Sequence, residues 1–468
     1  MKLTRRDFVA LSAGAATAAC TPALHTRKDT EVLIIGAGLA GLHAARMLWA
    51  DSIKSIVLEA SDRIGGRMWT LSDIPGTPEA GGQQVGQSYA RIRSTALELD
   101  LNIVPPAPGG SRDKTVVIGG RTFDSREWAT APENSFPDAF KRATPDTALF
   151  MAAARANPLV DQYAWREVGA EYDISATAFL ERQGFEASAR ALCNVALNAN
   201  ELDTYSMLNV WRSLTLFQLD SQTGPSEEIE GGSQRLPEAM AASLHHDTVR
   251  TSAPVTAIRA RRDGVEVDIA GETLRAPFAI CTLPFPVLRT LDLQLPTEHQ
   301  DLHNIIDAMP YTQIQQVHLS LEREPSDDLP LMMWTDTPIE RVFPVRDASG
   351  EIVALTCWIN GAGTRPSTSD EDWMALAEQT LAETRGLKAK AQRVIRWDKD
   401  QPLSGGAYMH WAPGQIQPWA ERILQPAGRL IFAGEHTSYL HTGMEGAMES
   451  GERAAYAIIE DIEASRAL

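Results

Sequence analysis

Residues Glu31–Gly41 read E-V-L-I-I-G-A-G-L-A-G, and Glu59 follows at the end of a second apolar run, Ser55–Leu58. Val32–Ile35 reads as a short buried strand. Gly36, Gly38 and Gly41 form a G-x-G-x-x-G turn that opens into a helix over Leu39–Trp49. Gly36 permits the tight turn, Gly38 lets the backbone touch a pyrophosphate, and Gly41 lets helix and strand pack closely. The helix N-terminus offers free N–H groups and partial positive charge to phosphates. Glu59 stands where a carboxylate would bind ribose hydroxyls, roughly 20 residues beyond the glycines. A glycine-rich turn in an ordinary βαβ unit is the competing reading. Strand, glycines, helix, strand and terminal acid in this order favour a dinucleotide site.

The next residues, Glu59–Arg67, read E-A-S-D-R-I-G-G-R. Arg63 and Arg67 flank Gly65-Gly66, and two arginines on a glycine pair can wrap a pyrophosphate with charge-assisted bonds. With these motifs the chain resembles the flavin-containing amine oxidases, a family that includes monoamine, polyamine and L-amino-acid oxidases. The resemblance implies FAD, with Gly66 and both arginines at its pyrophosphate.

The chain has 468 residues, 44% hydrophobic and 22% charged, which suits two large globular domains. Its net charge of −18 argues against nucleic acid and anionic membranes as partners. Thr4–Val9 reads T-R-R-D-F-V and resembles a twin-arginine export motif, followed by the short Ala-rich stretch Ala10–Ala19. The expectation is an exported, periplasmic protein that meets the twin-arginine machinery already folded. Ordinary cleavage or retention is favoured over a lipid anchor at Cys20, because Thr17 replaces the usual large aliphatic residue. Cys193, Cys281 and Cys357 sit singly among apolar neighbours and read as small core residues. His245-His246 lies on an expected surface turn without a third ligand nearby, so no metal site is expected.

The pattern predicts an α/β fold: a Rossmann-like FAD-binding domain interleaved with a mixed α+β substrate domain. After the signal segment, residues 1–28, the FAD domain takes 29–88, 225–304 and 395–468. The substrate domain takes 89–224, read as helical, and 305–394. Val249–Arg259, Val265–Ile269, Phe278–Leu283, Thr312–Leu321 and Leu430–Gly434 read as strands. Asp370–Arg385 reads as a helix capped by Ser369 or Asp370, and Gly446–Glu463 as a closing helix.

Three further elements carry the family resemblance. Glu230–Pro237 reads E-G-G-S-Q-R-L-P, with Ser233 or Gln234 as the cap of a helix near the flavin. Trp397–Gly414 resembles the W-x-x-x-x-x-x-S-G-G-x-Y segment. Ala407 falls where monoamine oxidases carry the cysteine that bonds the flavin, which implies non-covalent FAD. Tyr408 falls at one wall of an aromatic cage, where its ring offers an amine an apolar face and a negative quadrupole. Phe432–Gly451 reads F-A-G-E-H-T-S-Y-L-H-T-G-M-E-G-A-M-E-S-G. Here Gly434 and Glu435 end a strand toward the cofactor, and Met444 opens a helix whose N–H groups and dipole can stabilise charge on reduced flavin. The resemblance also implies that Val255 bonds the adenine through its backbone and that Trp397 lies by the cofactor.

Departures from the family narrow the substrate. The second cage aromatic aligns with Gly443, so the cage is open on one side. The family lysine that holds water near flavin N5 aligns at Gln315, with Gln316 as the other register. Glu79–Gly86 holds no arginine for an α-carboxylate, which favours an amine without one. The resulting expectation is oxidation of an amine C–N bond to an imine, then aldehyde or ketone, with electrons passing to O2 or a redox carrier. A desaturase of an apolar substrate, an L-amino-acid oxidase and a decayed FAD-binding protein are the alternatives. A homo-oligomer is left open.

Overall fold

The computed structural model describes residues 30–108, 113–324, 327–365 and 367–466. The signal-segment expectations for residues 1–28, including Cys20, lie outside the described residues.

Val32–Ile35 is buried along its whole length, which is how an all-apolar strand behaves in a parallel sheet covered on both faces. It is central in a five-stranded parallel sheet ordered Leu430–Phe432, Phe278–Cys281, Val32–Ile35, Ser55–Leu58, Val249–Arg250. Residues far apart in sequence thus build one nucleotide-binding sheet. Successive strands leave Val32–Ile35 in opposite directions, so a crevice opens at its C-terminal end, where Gly36 begins. Helices Leu39–Ala50 and Gly443–Arg466 pack against each other beside this sheet.

A four-stranded sheet follows, ordered Glu272–Ala276, Val265–Ile269, Val255–Ala260, Asp292–Gln294. The expected single strand Val249–Arg259 is therefore two strands in two sheets. Pro254 lacks an N–H and breaks the run, and the chain turns at Ser252 with φ of 54°.

The largest sheet has seven strands: Lys388–Trp397, Ile314–Arg323, Ile352–Asn360, Arg341–Arg346, Met333–Thr335, Thr115–Ile118 and Arg121–Phe123. Helix Asp370–Arg385 covers it, capped by Ser369, whose Oγ accepts from the Asp372 N–H at 3.0 Å. The last two strands correct the helical reading of residues 89–224. Thr115–Ile118 is β-branched and fully buried, and it pairs in parallel with Met333–Thr335. The remainder of that insertion is largely helical, with Met207–Thr223 its longest helix.

Cys193, Cys281 and Cys357 are free and buried. Among the described residues no helix is long and apolar enough to cross a membrane. His245 and His246 do have a third potential ligand: Asp247 brings a carboxylate oxygen within 4.8 Å of both rings, on an exposed turn.

Candidate active site

The glycine turn is built as its sequence requires. Gly36 has φ of +105°. A Cβ on Gly41 would stand 2.1 Å from the Gly36 carbonyl oxygen, so only glycine lets this helix start so close to the strand. A Cβ on Gly38 would meet no protein atom within 4 Å, which leaves its backbone open to an approaching ligand. Gly38 is the N-cap of Leu39–Ala50, and the first N–H groups of that helix have no intrahelical partners.

Glu59 ends the neighbouring strand and faces this turn. Its Oε2 accepts from the Ala37 N–H at 2.9 Å, and Oε1 accepts from the Ser61 N–H at 2.9 Å and the Ser61 hydroxyl at 3.1 Å. A carboxylate has about four acceptor positions, so one remains for a ribose hydroxyl. The Ala253 N–H donates to the Glu59 carbonyl at 2.8 Å, which brings the start of strand Val255–Ala260 to the same end of the crevice.

The arginine loop docks here through the Gly65 N–H, which donates to the Ala37 carbonyl at 2.8 Å. The two arginines of this loop have different protein partners. Arg63 donates to the carbonyls of Ile64, Met68 and Gly66, and its guanidinium lies 4.9 Å from the Trp69 ring centroid. These three bonds tie Arg63 to its own loop. Arg67 reaches further, donating to the Ala407 carbonyl at 2.7 Å and to Glu435 Oε1 at 3.0 Å. Glu435 also accepts from the Met409 N–H at 3.1 Å. This pair clamps Gly405–Met409 against Gly434-Glu435, so three separate signature segments converge. Gly434 itself donates its N–H to Ser450 Oγ at 2.7 Å.

The helix after Gly231-Gly232 is not capped by Ser233 or Gln234. The half-buried Glu79 carboxylate takes the donors instead: Ser233 N–H and hydroxyl, each at 2.7 Å, and the Thr70 hydroxyl at 3.0 Å. Burial still pushes the Glu79 carboxyl up, against those hydrogen bonds. Gln234 bonds the Thr70 N–H and Glu238. Arg91 and Arg93, on the helix Ala90–Glu98, are engaged in ion pairs. Arg91 pairs with Glu445 and Glu452, and Arg93 with Glu227 at 2.7 Å.

Trp397 and Tyr408 lie in one apolar cluster with Ala407, Ile314, Trp69 and Trp358. The Trp397 indole N–H donates to the Ala80 carbonyl at 2.6 Å, and Trp69 meets the Trp397 ring edge-on at 6.4 Å. Burial pushes the Tyr408 hydroxyl far above its usual range, so it stays neutral. The neighbouring rings of His410 and His436 are pushed down to about 3 by burial, and they too are neutral.

Gln315 faces away from this cluster. Its Nε2 donates to Asp398 Oδ2 at 2.7 Å and its Oε1 accepts from the Arg365 N–H at 2.9 Å. Strand residues alternate between faces. Ile314 belongs to the aromatic cluster, whereas Val317 belongs to the cluster under helix Asp370–Arg385. Gln315 therefore shares the helix-covered face, and Gln316 shares the face of Ile314. The register corrects the Gln315 assignment to Gln316, which is 1% exposed and whose Oε1 accepts from His318 Nε2 at 3.2 Å.

Gly443 opens the helix Gly443–Arg466 with φ of 57°, and a Cβ there would meet nothing within 4 Å. The missing second aromatic thus leaves open space rather than a gap filled by a neighbour. Met444 follows, tight against Gly82, where a Cβ would stand 2.7 Å from its Sδ. The approach 438–442 is held from both sides. Glu449 accepts the N–H groups of Tyr439, Leu440 and His441, and buried Arg212 donates to the carbonyls of Leu440 and His441. No motif contains Arg212, and Glu449 stands in the Phe432–Gly451 signature without a role assigned to it from sequence. Trp69, two residues beyond Arg67, had a readable signal in its place directly after the arginine loop.

With this geometry stands the comparison with known proteins. The family model for flavin containing amine oxidoreductases matches residues 39–459. The chain belongs to that family and is an FAD-dependent oxidoreductase. It is similar to an L-amino-acid oxidase of Siganus canaliculatus, 24% identical over 92% of this chain and 85% of the relative. It is likewise similar to the flavin-containing amine oxidase B of Homo sapiens, 24% identical over 92% of this chain and 86% of that one. Among solved structures, cyclohexylamine oxidase from Brevibacterium oxydans superposes with a TM-score of 0.76 at 21% identity, covering 93% of this chain and 100% of its own. At that identity the likeness concerns the fold.

The residues present fit FAD. The open Gly38 backbone, the spare acceptor position on Glu59 and the helix N-terminus at Gly38 suit its ribose and pyrophosphate, and the aromatic cluster by Ala407 suits its ring system.

Proposed function

We propose that the protein oxidises the C–N bond of an amine lacking an α-carboxylate to an imine, which water converts to an aldehyde or ketone and ammonia or an amine. The observation that carries this reading is the joining of Arg67, Ala407-Tyr408 and Glu435 at one wall of the FAD crevice. FAD, when bound, supplies a two-electron acceptor for the substrate's α-hydrogen and its electron pair. Glu59 and the Gly36–Gly41 turn would hold the nucleotide. Tyr408 and Trp397 would offer the substrate an apolar aromatic wall and keep water away. Tyr408 is neutral, and its ring offers the amine an apolar face. The absence of arginine from Glu79–Gly86 supports an amine over an α-amino acid. Ala407 supports non-covalent FAD. The electrons pass to O2 or to another carrier, with neutral Gln316 near the reacting face.

The test is anaerobic mixing of the yellow protein with primary, secondary and aromatic amines and with L-amino acids, read as loss of flavin absorbance. Bleaching by amines supports the proposal. Bleaching by α-amino acids alone, or by none of the panel, overturns it.

A further inference from the structure

Directly opposite residues in paired strands point to the same face. Gln316 pairs with Ile395 on one side and with Trp358 on the other, and Trp358 pairs in turn with Arg341. Ile395, Gln316, Trp358 and Arg341 therefore form one row across the sheet, on the face that carries the aromatic cluster. Arg341 stands in that row two strands from Gln316, and the row runs on from it to Trp334. Strand spacing puts about 10 Å between the backbones of Arg341 and Gln316.

Arg341 is a half-buried cation in an aromatic setting. Its guanidinium lies 5.6 Å from the Trp358 ring centroid and 5.7 Å from that of Phe343. One Nη donates to Asn198 Oδ1 at 3.1 Å. Its Nε is buried and has no partner, and neither has the Trp358 indole N–H beside it. No carboxylate stands within 4.0 Å of the guanidinium among the described residues. The adjacent Glu340 points to the opposite face, where its carboxylate accepts from the Asn360 N–H at 2.7 Å. Arg341 is close enough for its charge to act on the Tyr408 hydroxyl. Two buried donors left unmet cost about 1–3 kcal/mol each, so the arrangement is built for an acceptor that the protein does not supply.

We propose that Arg341 binds an anionic group of the substrate, a carboxylate separated from the reacting amine by several bonds. This rests on the amine-oxidation reading and names its substrate class as ω-amino carboxylates. The carboxylate would accept from the Arg341 guanidinium, with the Trp358 indole N–H as a second donor. The amine would extend along the row toward Tyr408 and Gln316. An α-amino acid holds its two groups too close together to span that row.

The experiment uses the FAD-loaded full chain. Flavin reduction is followed anaerobically with 5-aminopentanoate, pentylamine and L-norvaline, and pentanoate is titrated against the flavin spectrum. Wild type should take 5-aminopentanoate over pentylamine by roughly 10-fold or more, the worth of a charged hydrogen-bonded contact. Arg341→Gln should shrink that ratio roughly 10-fold, and Arg341→Lys, which keeps the charge, should retain part of it. Pentanoate should perturb the wild-type spectrum at lower concentration than that of Arg341→Gln. Preference for pentylamine or L-norvaline in wild type, or an unchanged ratio in Arg341→Gln, overturns the proposal. If no amine bleaches the flavin but pentanoate binding still depends on Arg341, the anion site stands and the amine-oxidation reading falls. If pentanoate binds both proteins alike, the anion site falls.

Discussion

Gly38 and Gly41 differ by three residues and should respond in opposite ways to the same methyl group. At Gly38, φ is −83° and ψ −177°, extended backbone that alanine adopts freely, and a Cβ meets no protein atom within 4 Å. Gly38→Ala should leave the apoprotein as stable as wild type or raise its stability by about 0.4–1 kcal/mol, through the lost freedom of the unfolded chain. The methyl then occupies the space through which a pyrophosphate approaches the helix N–H groups. Losing one charge-assisted contact of about 1.5–3 kcal/mol weakens FAD binding roughly 10- to 150-fold. At Gly41 the Cβ would stand 2.1 Å from the Gly36 carbonyl oxygen and 3.1 Å from Ile34 Cγ2. Helix and strand must separate, so Gly41→Ala should destabilise the apoprotein by about 1–3 kcal/mol. Urea unfolding of both flavin-free variants gives the stabilities, and titration with FAD followed by flavin fluorescence gives the affinities. The reasoning is refuted if Gly38→Ala binds FAD like wild type, or if its apoprotein unfolds earlier.

Acid denaturation should release intact FAD into the supernatant, because Ala407 offers no sulfur; flavin on the precipitated chain would contradict the non-covalent site. Replacing Arg5 and Arg6 together by lysine should leave folded yellow protein in the cytoplasm, and unchanged export on cell fractionation would exclude the twin-arginine route. Burial raises the Glu340 carboxyl to about 7. A carboxyl raised above its unfolded value near 4.5 stabilises the fold below that value, and this contribution is lost as pH rises through about 7. Glu340→Gln should therefore gain on wild type by up to about 3 kcal/mol between pH 4.5 and 8, read by urea unfolding across pH. A pH-independent difference would contradict the buried, protonated state. Gln316→Lys should speed reoxidation of reduced flavin by O2 more than it changes anaerobic reduction, because it adds positive charge where negative charge develops on oxygen. Stopped-flow measurement of both half-reactions decides this, and a variant slowed only in reduction would make Gln316 a substrate contact.

The parts of the fold that were legible in the sequence are those whose chemistry is local. The glycine turn, its flanking strands and Glu59 lie within one βαβ unit, and each residue's role follows from its neighbours in the chain. The seven-stranded sheet was legible only in fragments. Thr115–Ile118 sits in a largely helical stretch, and its partner Met333–Thr335 lies more than two hundred residues away. Periodicity alone does not distinguish four buried residues in a strand from one turn of a buried helix; the β-branched run and the Gly119-Gly120 turn after it are the local signals. Arg63 was read for its charge, yet its loop leaves carbonyls that need donors, and only the folded loop reveals them. The same holds for Ser233, whose capping capacity is taken by Glu79 from 154 residues away.

Gln315 and Gln316 show why this limit bears on function. Adjacent strand residues point to opposite faces, so a register error of one exchanges a residue on the aromatic-cluster face for a residue under the covering helix. Sequence alone contains both registers. Two pairings decide between them: Ile314 opposite Trp397, and Gln316 opposite Trp358. Once the register is fixed, the row extends without further assumption to Arg341, which no signature motif contains. The resemblance to the family marks the wall that meets the reacting amine. The far end of the proposed substrate meets residues specified only by the sheet that carries them, and there the chain's own chemistry is a cation beside a pair of aromatic rings.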